Sequence, residues 1–334
     1  MKFLFFLSQK YSISVILPLI KELDRLRQDW AITASFSADA QFPEDRMLNS
    51  SREYLAYQPD FVLTPGNFLD YRLSGLKVQI FHGLGIEKPA HYKIRHFFDI
   101  YCTSGPVVTA RFIELQKKYP YFLVRETGWT KIDYILNYKS SGQLYPDQTE
   151  YSRVILYAPT CSSSMHSAEK LLPEIIRIAR PEELWIFKFH DLLQSDQILK
   201  KLPDNIRIFD NSDITPVLHH ADLLISDTSS VVYEFMVLDK PVITFRTLDR
   251  LDKGINITEP HQLRSAIDRS LENPNEFYEN RKKHLQEVNP YLNGEISKQM
   301  INELMNIKLS GWKSGRKPLN LWRKWQVRQR VKKW

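Results

Sequence analysis

Four short stretches of the sequence hold residues able to do chemistry at a phosphate: His82-Gly83-Leu84-Gly85, Pro159-Thr160, Lys188-Phe189-His190 and Asp227-Thr228-Ser229-Ser230. The last precedes a helical pattern beginning near Ser230. Backbone N–H groups, hydroxyls and the positive end of a helix would then converge on one point suited to a phosphate or diphosphate. An ordinary N-cap, with one serine capping and the others facing water, is the alternative. His82 precedes a Gly-x-Gly turn, where backbone comes close to a ligand, and its unperturbed pKa near neutrality fits removal of a proton from an attacking hydroxyl. A buried, hydrogen-bonded loop histidine is the other reading. His190 carries the same two readings, with Lys188 on the opposite face of its strand. Glu234, four residues after Ser230, lies one helical turn further on, where an acid holds a ribose hydroxyl or an acceptor group, or simply faces solvent. His166, His219, His220 and His284 read as surface or helix histidines.

Each stretch follows a short apolar run. Phe3 to Leu7, Ala31 to Phe36, Phe61 to Thr64, Val78 to Phe81, Ile100 to Thr103 and Phe122 to Arg125 read as buried strands, with helical patterns between several of them, such as 15–26 and 107–118. After a linker at Asn137 to Asp147, a second series follows. Its strands are Val154 to Ala158, Leu184 to Phe189, Ile206 to Phe209, Leu223 to Ser226 and Pro241 to Phe245, and its helices begin near Ala168, Ile198, Thr215 and Ser230. The stretches 262–289 and 296–309 read as further helix. Alternating strand and helix specifies parallel sheets covered on both faces. The expected fold class is α/β: two doubly wound, Rossmann-like domains facing across a cleft, 1–140 and 150–309, with ligands beyond the carboxyl ends of the strands. Neither G-x-G-x-x-G nor G-x-x-x-x-G-K-[ST] occurs, so the usual dinucleotide and P-loop cradles are excluded.

A length of 334 residues sets a prior of two domains, and 43% hydrophobic with 25% charged residues excludes a disordered or collagenous chain. Cys102 and Cys161 offer neither a disulfide framework nor metal-ligand spacing, so no metal or cofactor is expected. The net charge of +7 is concentrated at one end. From Gly311 to Trp334 there are nine Lys or Arg residues, no acid and four tryptophans, which leaves 37 bases against 39 acids in the preceding 310 residues. Interleaved base and Trp is the composition of a segment lying on an anionic membrane surface, and 310–334 is expected to do so. A nucleic-acid-binding or membrane-surface scaffold is the non-enzyme alternative, but a body of −2 offers no complementary basic groove. The N-terminal run Phe3 to Leu7 is shorter than a secretory core, and no stretch approaches the roughly 18 apolar residues of a membrane span. The expected location is the cytoplasm, peripheral on the inner face of the cell membrane.

In this order, His82-Gly-Leu-Gly-Ile-Glu-Lys88, Thr127-Gly-Trp-Thr-Lys-Ile-Asp133, Tyr157-Ala-Pro-Thr160, Lys188-Phe-His190, the block Ala221 to Phe235 and Lys240-Pro241 resemble the CDP-glycerol glycerophosphotransferase family, the teichoic-acid primases and polymerases. The resemblance runs from about Val78 to Phe245 and is most specific at Asp227 to Glu234. It implies a GT-B fold with the nucleotide held mainly in the second domain. The implied donor is CDP-glycerol, CDP-ribitol or a related CDP-linked polyol phosphate, and the acceptor a hydroxyl of a lipid-linked cell-wall or capsule glycan. His82 and His190 would be the catalytic pair, without a metal. Gly83, Lys88, Thr160, Lys188, Asp227, Thr228, Ser229, Ser230 and Glu234 would line the substrates, with the two serines on the diphosphate. The chain departs from the family pattern at Phe81 to Gly85, where Trp-His-Gly-Thr-Pro is usual. It departs also at Cys161 to Ser164, at Asp191 in place of Pro, and at Thr228 in place of Tyr. Nucleotide-sugar glycosyltransferases and UDP-N-acetylglucosamine 2-epimerases share the implied fold and are the competing enzymes.

Overall fold

The computed structural model describes residues 1–38, 41–140, 142–160, 167–189 and 202–331. The chain divides into two compact units: Met1–Gly83, Lys88–Asn137 and Glu287–Trp334 form the first, Leu84–Glu87 and Tyr138–Gln286 the second.

The first unit is built on a sheet of β1 (Lys2–Leu7), β2 (Asp29–Ala34), β3 (Phe61–Thr64), β4 (Leu76–Gln79), β5 (Ile100–Thr103) and β6 (Leu123–Glu126). Every pairing is parallel, in the order β2-β1-β3-β4-β5-β6. β1 shows why: after Lys2 its five residues are all apolar and all buried, as a strand covered on both faces requires. The cover comes from α1 (Ile13–Arg25), α2 (Ser51–Tyr57), α3 (Pro106–Lys118) and α4 (Lys131–Leu136). α1 buries Val15, Ile16, Leu19, Ile20 and Leu23, one face at helical spacing.

The second unit holds β7 (Arg153–Tyr157), β8 (Glu183–Phe187), β9 (Ile206–Ile208), β10 (Leu223–Ser226), β11 (Val242–Phe245) and β12 (Ile255–Ile257), again all parallel, in the order β12-β11-β10-β7-β8-β9. The order reverses between β7 and β10. Around the sheet lie α5 (Ala168–Ile178), α6 (Thr215–His220), α7 (Val231–Met236), α8 (Leu263–Glu272) and α9 (Tyr278–Val288). Ile155, Tyr157, Leu171, Trp185, Phe187, Ile225 and Ile243 are among its core. The stretch 262–289, read as further helix, forms two helices, since Asn273-Pro274 cannot continue α8. β12 was not expected; three residues carry too little periodicity to announce a strand. The expected helix start at Ile198 lies outside the described residues.

The expected boundary at 309 is corrected. From Glu287 onward the chain belongs to the first unit, where α10 (Ile296–Leu309) packs on α1 and α4 and buries Ile296, Met300, Ile301, Leu304 and Ile307. Asp133 in α4 caps this helix: its carboxylate accepts the N–H groups of Ile296 at 3.1 Å and Ser297 at 2.7 Å. Residues 310–331, expected as an independent tail, also belong to this unit and end in α11 (Leu321–Val331), with Val327 and Val331 buried. No helix among the described residues is long and apolar enough to cross a membrane.

Candidate active site

His82 stands in the first unit just beyond β4, and its loop is held from several sides. Its Nδ1 lies 3.1 Å from the Pro65 carbonyl, which only accepts, so Nδ1 carries the proton in the neutral ring and Nε2 carries the lone pair. Nε2 has no partner among the described residues. Burial pushes the His82 pKa below its usual value; the Pro65 carbonyl opposes this, and the Arg95 and Lys88 charges reinforce it. The result is an imidazole kept neutral with its basic nitrogen available, as a general base needs.

The residue before it is strained. Phe81 has φ of +58°, a left-handed conformation that a bulky side chain adopts at a cost of about 1–3 kcal/mol. Three contacts hold it there. Trp129 Nε1 donates to the Phe81 carbonyl at 3.2 Å, the His91 ring stacks on the Phe81 ring at 4.7 Å, and Phe112 meets the same ring edge-on at 5.4 Å. Trp129 is itself fixed by its N–H to Asn289 Oδ1 at 2.9 Å, and Thr130 Oγ donates to the Val15 carbonyl at 2.6 Å. The Thr127 to Asp133 block is therefore a support for the histidine loop; the sequence marks Trp129 only as part of that motif, without a role, and does not mark His91 at all. Burial, with His82 and Arg95 nearby, pushes His91 down to about 3. Of the other expected residues here, Gly83 ends the first segment of this unit and Lys88 opens the next, its carbonyl accepting the His91 N–H at 2.9 Å.

In the second unit the candidate residues gather where the strand order reverses, the position at which doubly wound sheets bind ligands. Asp227 follows β10 and Thr160 follows β7. Asp227, expected to touch substrate, is 1% exposed and engaged with the protein: Oδ1 accepts the Thr160 N–H, and Oδ2 accepts both the N–H and the hydroxyl of Ser167, each at 2.9 Å. Because Ser167 donates to the carboxylate, the Tyr157 hydroxyl donates to Ser167 Oγ at 2.8 Å, completing a buried relay from the core of β7 to the loop. Ser226 Oγ donates to the Ala158 carbonyl at 2.6 Å, a second tie between the same two strand ends.

This leaves the two serines. Thr160 and Thr228 are buried, whereas Ser229 and Ser230 are half-buried and their hydroxyls have no hydrogen-bond partner among the described residues. Ser230 occupies the N-cap of α7 without capping it through its side chain, so the plain N-cap reading does not hold. Glu234 is 5% exposed in α7, which removes the solvent-facing alternative. Lys188 closes β8 beside β7, with its N–H on the Tyr157 carbonyl at 2.9 Å and Nζ on the Phe189 carbonyl at 3.1 Å. His190 and His166 lie outside the described residues.

Further ties explain the remaining motif residues. Lys240 Nζ donates to the carbonyls of Leu218, His219 and Ala221 at 3.1, 2.5 and 2.8 Å, closing the carboxyl end of α6. Glu87, from the first motif, is buried in the second unit, where it accepts the Tyr233 hydroxyl at 2.5 Å and pairs with Lys253 at 3.1 Å. His284, read as a surface or helix histidine, lies in α9 with 4% exposure and meets Asp252 at 2.7 Å. His220 binds the linker through Ser140 and Gln148.

Residues 99–250 match the family described as CDP-glycerol:poly(glycerophosphate) glycerophosphotransferase. The match covers both strand ends of the switch point and begins beyond His82. Over 100 residues the chain is 35% identical to the teichoic acid glycerol-phosphate primase of Bacillus subtilis strain 168, a stretch covering 29% of this chain and 26% of the primase. The solved wall teichoic acid polymerase TagF with CDPG has a TM-score of 0.66 at 16% identity, over 92% of this chain and 89% of that one. A solved UDP-N-acetylglucosamine 2-epimerase has a TM-score of 0.64 at 16% identity, over 95% of this chain and 98% of that one. The resemblance read from the motifs is thus found independently, and the fold is GT-B-like.

Proposed function

We propose that this chain transfers glycerol phosphate, or a related polyol phosphate, from a CDP-linked donor to a hydroxyl of a lipid-linked cell-wall glycopolymer. The observation that carries the reading is the family match over 99–250, with its most specific block, Asp227 to Glu234, at the switch point of a doubly wound parallel sheet. Asp227 sets the loops, and Ser229 and Ser230 offer their hydroxyls to the donor diphosphate. His82 Nε2 takes the proton of the acceptor hydroxyl as its oxygen attacks the β-phosphorus. The bond from that phosphorus to the bridging oxygen breaks, and CMP leaves. His190 is assigned to the developing charge on the leaving group by the motif alone. The stretch from Gly311 onward brings the enzyme to the inner face of the cell membrane, where such an acceptor resides.

The test is nucleotide release from CDP-glycerol, CDP-ribitol, UDP-sugars and UDP-N-acetylglucosamine, each with and without a lipid-linked glycan. Acceptor-dependent CMP from a CDP-polyol is expected. Turnover of the UDP compounds alone would overturn the reading in favour of a glycosyltransferase or an epimerase.

A further inference from the structure

The segment 311–331 has two apolar sides, and the first unit uses only one. Val327 and Val331 are 3% and 6% exposed. Arg323, Lys324 and Arg330 lie over the rings of Phe97, Tyr71 and Phe68 at 5.8, 5.4 and 4.9 Å. Lys317 pairs with Asp99 at 2.5 Å and donates to the Phe97 carbonyl at 2.7 Å, and Asn320 Nδ2 donates to the Arg95 carbonyl at 3.2 Å. These contacts fix which way α11 is turned. The other side faces water: Leu319, Leu321, Trp322 and Trp325 are 66%, 69%, 69% and 51% exposed. At about 100° per residue, Leu321, Trp322 and Trp325 fall within one arc opposite Val327 and Val331. The two indoles stack at 5.0 Å. A contiguous apolar patch presented to solvent by a docked helix marks an interaction surface.

Charge identifies what covers it. The segment from Gly311 has nine bases and no acid. Leu319 also lines an open groove of about 460 Å³ with Lys118, Tyr119 and Arg316, which puts cations beside the apolar patch. Indoles at headgroup depth flanked by Lys and Arg suit an anionic lipid surface. We infer that Leu319, Leu321, Trp322 and Trp325 form a platform, folded before contact, that inserts into the headgroup layer of an anionic bilayer while Lys118, Arg316 and Arg328 meet lipid phosphates. The inference rests on the membrane part of the proposed function and adds which residues insert. It also leaves fewer than nine bases for the lipid, since Lys317, Arg323, Lys324 and Arg330 are already occupied by the body.

The test uses the full chain with vesicles of phosphatidylcholine alone, and of phosphatidylcholine containing one-third phosphatidylglycerol, with and without brominated acyl chains. Wild type is expected to bind the anionic vesicles and to have part of its tryptophan emission quenched by bromine. The double variant Trp322→Ser, Trp325→Ser should keep its melting temperature, bind at least about tenfold more weakly and lose that quenching. Failure of wild type to bind anionic vesicles overturns the membrane reading itself. Wild-type binding with an equally tight double variant and no bromine quenching overturns the platform alone. RNA binding at physiological salt, or dimerisation, that disappears in the double variant would hand the patch to another partner and overturn the inference too.

Discussion

Asp227 accepts the backbone N–H of Thr160 at 2.9 Å, so the two strand ends on either side of the switch point are joined by a buried carboxylate. The same carboxylate takes two donors from Ser167. An acid that sequence logic offers to a ligand thus works one step back, fixing the backbone from which Ser229 and Ser230 project.

Asp227→Ala strands three buried donors, and loss of hydrogen bonds to a charged group predicts destabilisation of about 3 kcal/mol. Asp227→Asn should recover only part, because its amide turns N–H toward N–H. Urea unfolding of both variants is the check; midpoints equal to wild type would show that the relay contributes nothing.

Replacing Ser229 and Ser230 together with alanine should leave stability nearly unchanged, since neither hydroxyl is engaged by another described residue. Affinity for CDP-glycerol should fall by roughly 2–3 kcal/mol, the worth of two hydrogen bonds to a charged group. Calorimetry that finds the donor bound as tightly as before removes the serines from the site.

His82→Gln should fold normally and lose transfer by at least about a hundredfold, the usual scale for a general base. Because burial lowers the His82 pKa, the base form persists below pH 6.5, and the acid limb of kcat/KM is expected to lie below that value. A limb at or above pH 6.5, or near wild-type turnover in the variant, argues against this role.

His91 tests the support of that loop by linkage. Its folded pKa, near 3, lies below the unfolded value of 6.5, so the unfolded chain binds the extra proton. The stability associated with the neutral ring is complete above pH 6.5 and is lost progressively as pH falls from there toward 3. His91→Phe, which keeps the stacking on Phe81, should flatten the dependence of unfolding free energy on pH across this window by about one proton. An unchanged slope would mean that His91 is not held neutral.

Lys253→Met leaves Glu87 buried without its cation and should cost about 3–5 kcal/mol. The double variant Glu87→Gln, Lys253→Met should regain much of that loss. A single variant as stable as wild type would show the pair to be dispensable.

The sheets were legible because parallel strands must be apolar on both faces, and runs such as Phe3 to Leu7 have no other use. The strand-end rule then placed Thr160, Lys188 and Asp227 to Ser230 at one edge of the second sheet. Other relationships were hidden for a physical reason. Periodicity identifies α10 as a helix but not which sheet it covers, so the return of the chain at Glu287 could not be read. An indole N–H that reaches the carbonyl of Phe81 looks, in sequence, like any core tryptophan. His284 sits among Glu and Lys residues that suggest a wet helix, yet it is buried and paired with Asp252, a residue 32 positions away that helix periodicity does not point to. α11 carries apolar residues on two sides, so its sequence shows no single amphipathic stripe, and only packing assigns the Val327 side to the protein.

Asp133 holds the amino end of α10 through a contact that joins residues more than 160 positions apart. During synthesis, the first unit therefore waits for its last helices while all of 138–286 emerges between. That middle stretch carries every strand of its own sheet and is free to close first. Ribosome-bound chains stalled once residue 286 has cleared the exit tunnel, with α10 still inside it, should then hold a protease-resistant second sheet beside an unfinished first one, with α1 still uncovered and open to chaperones.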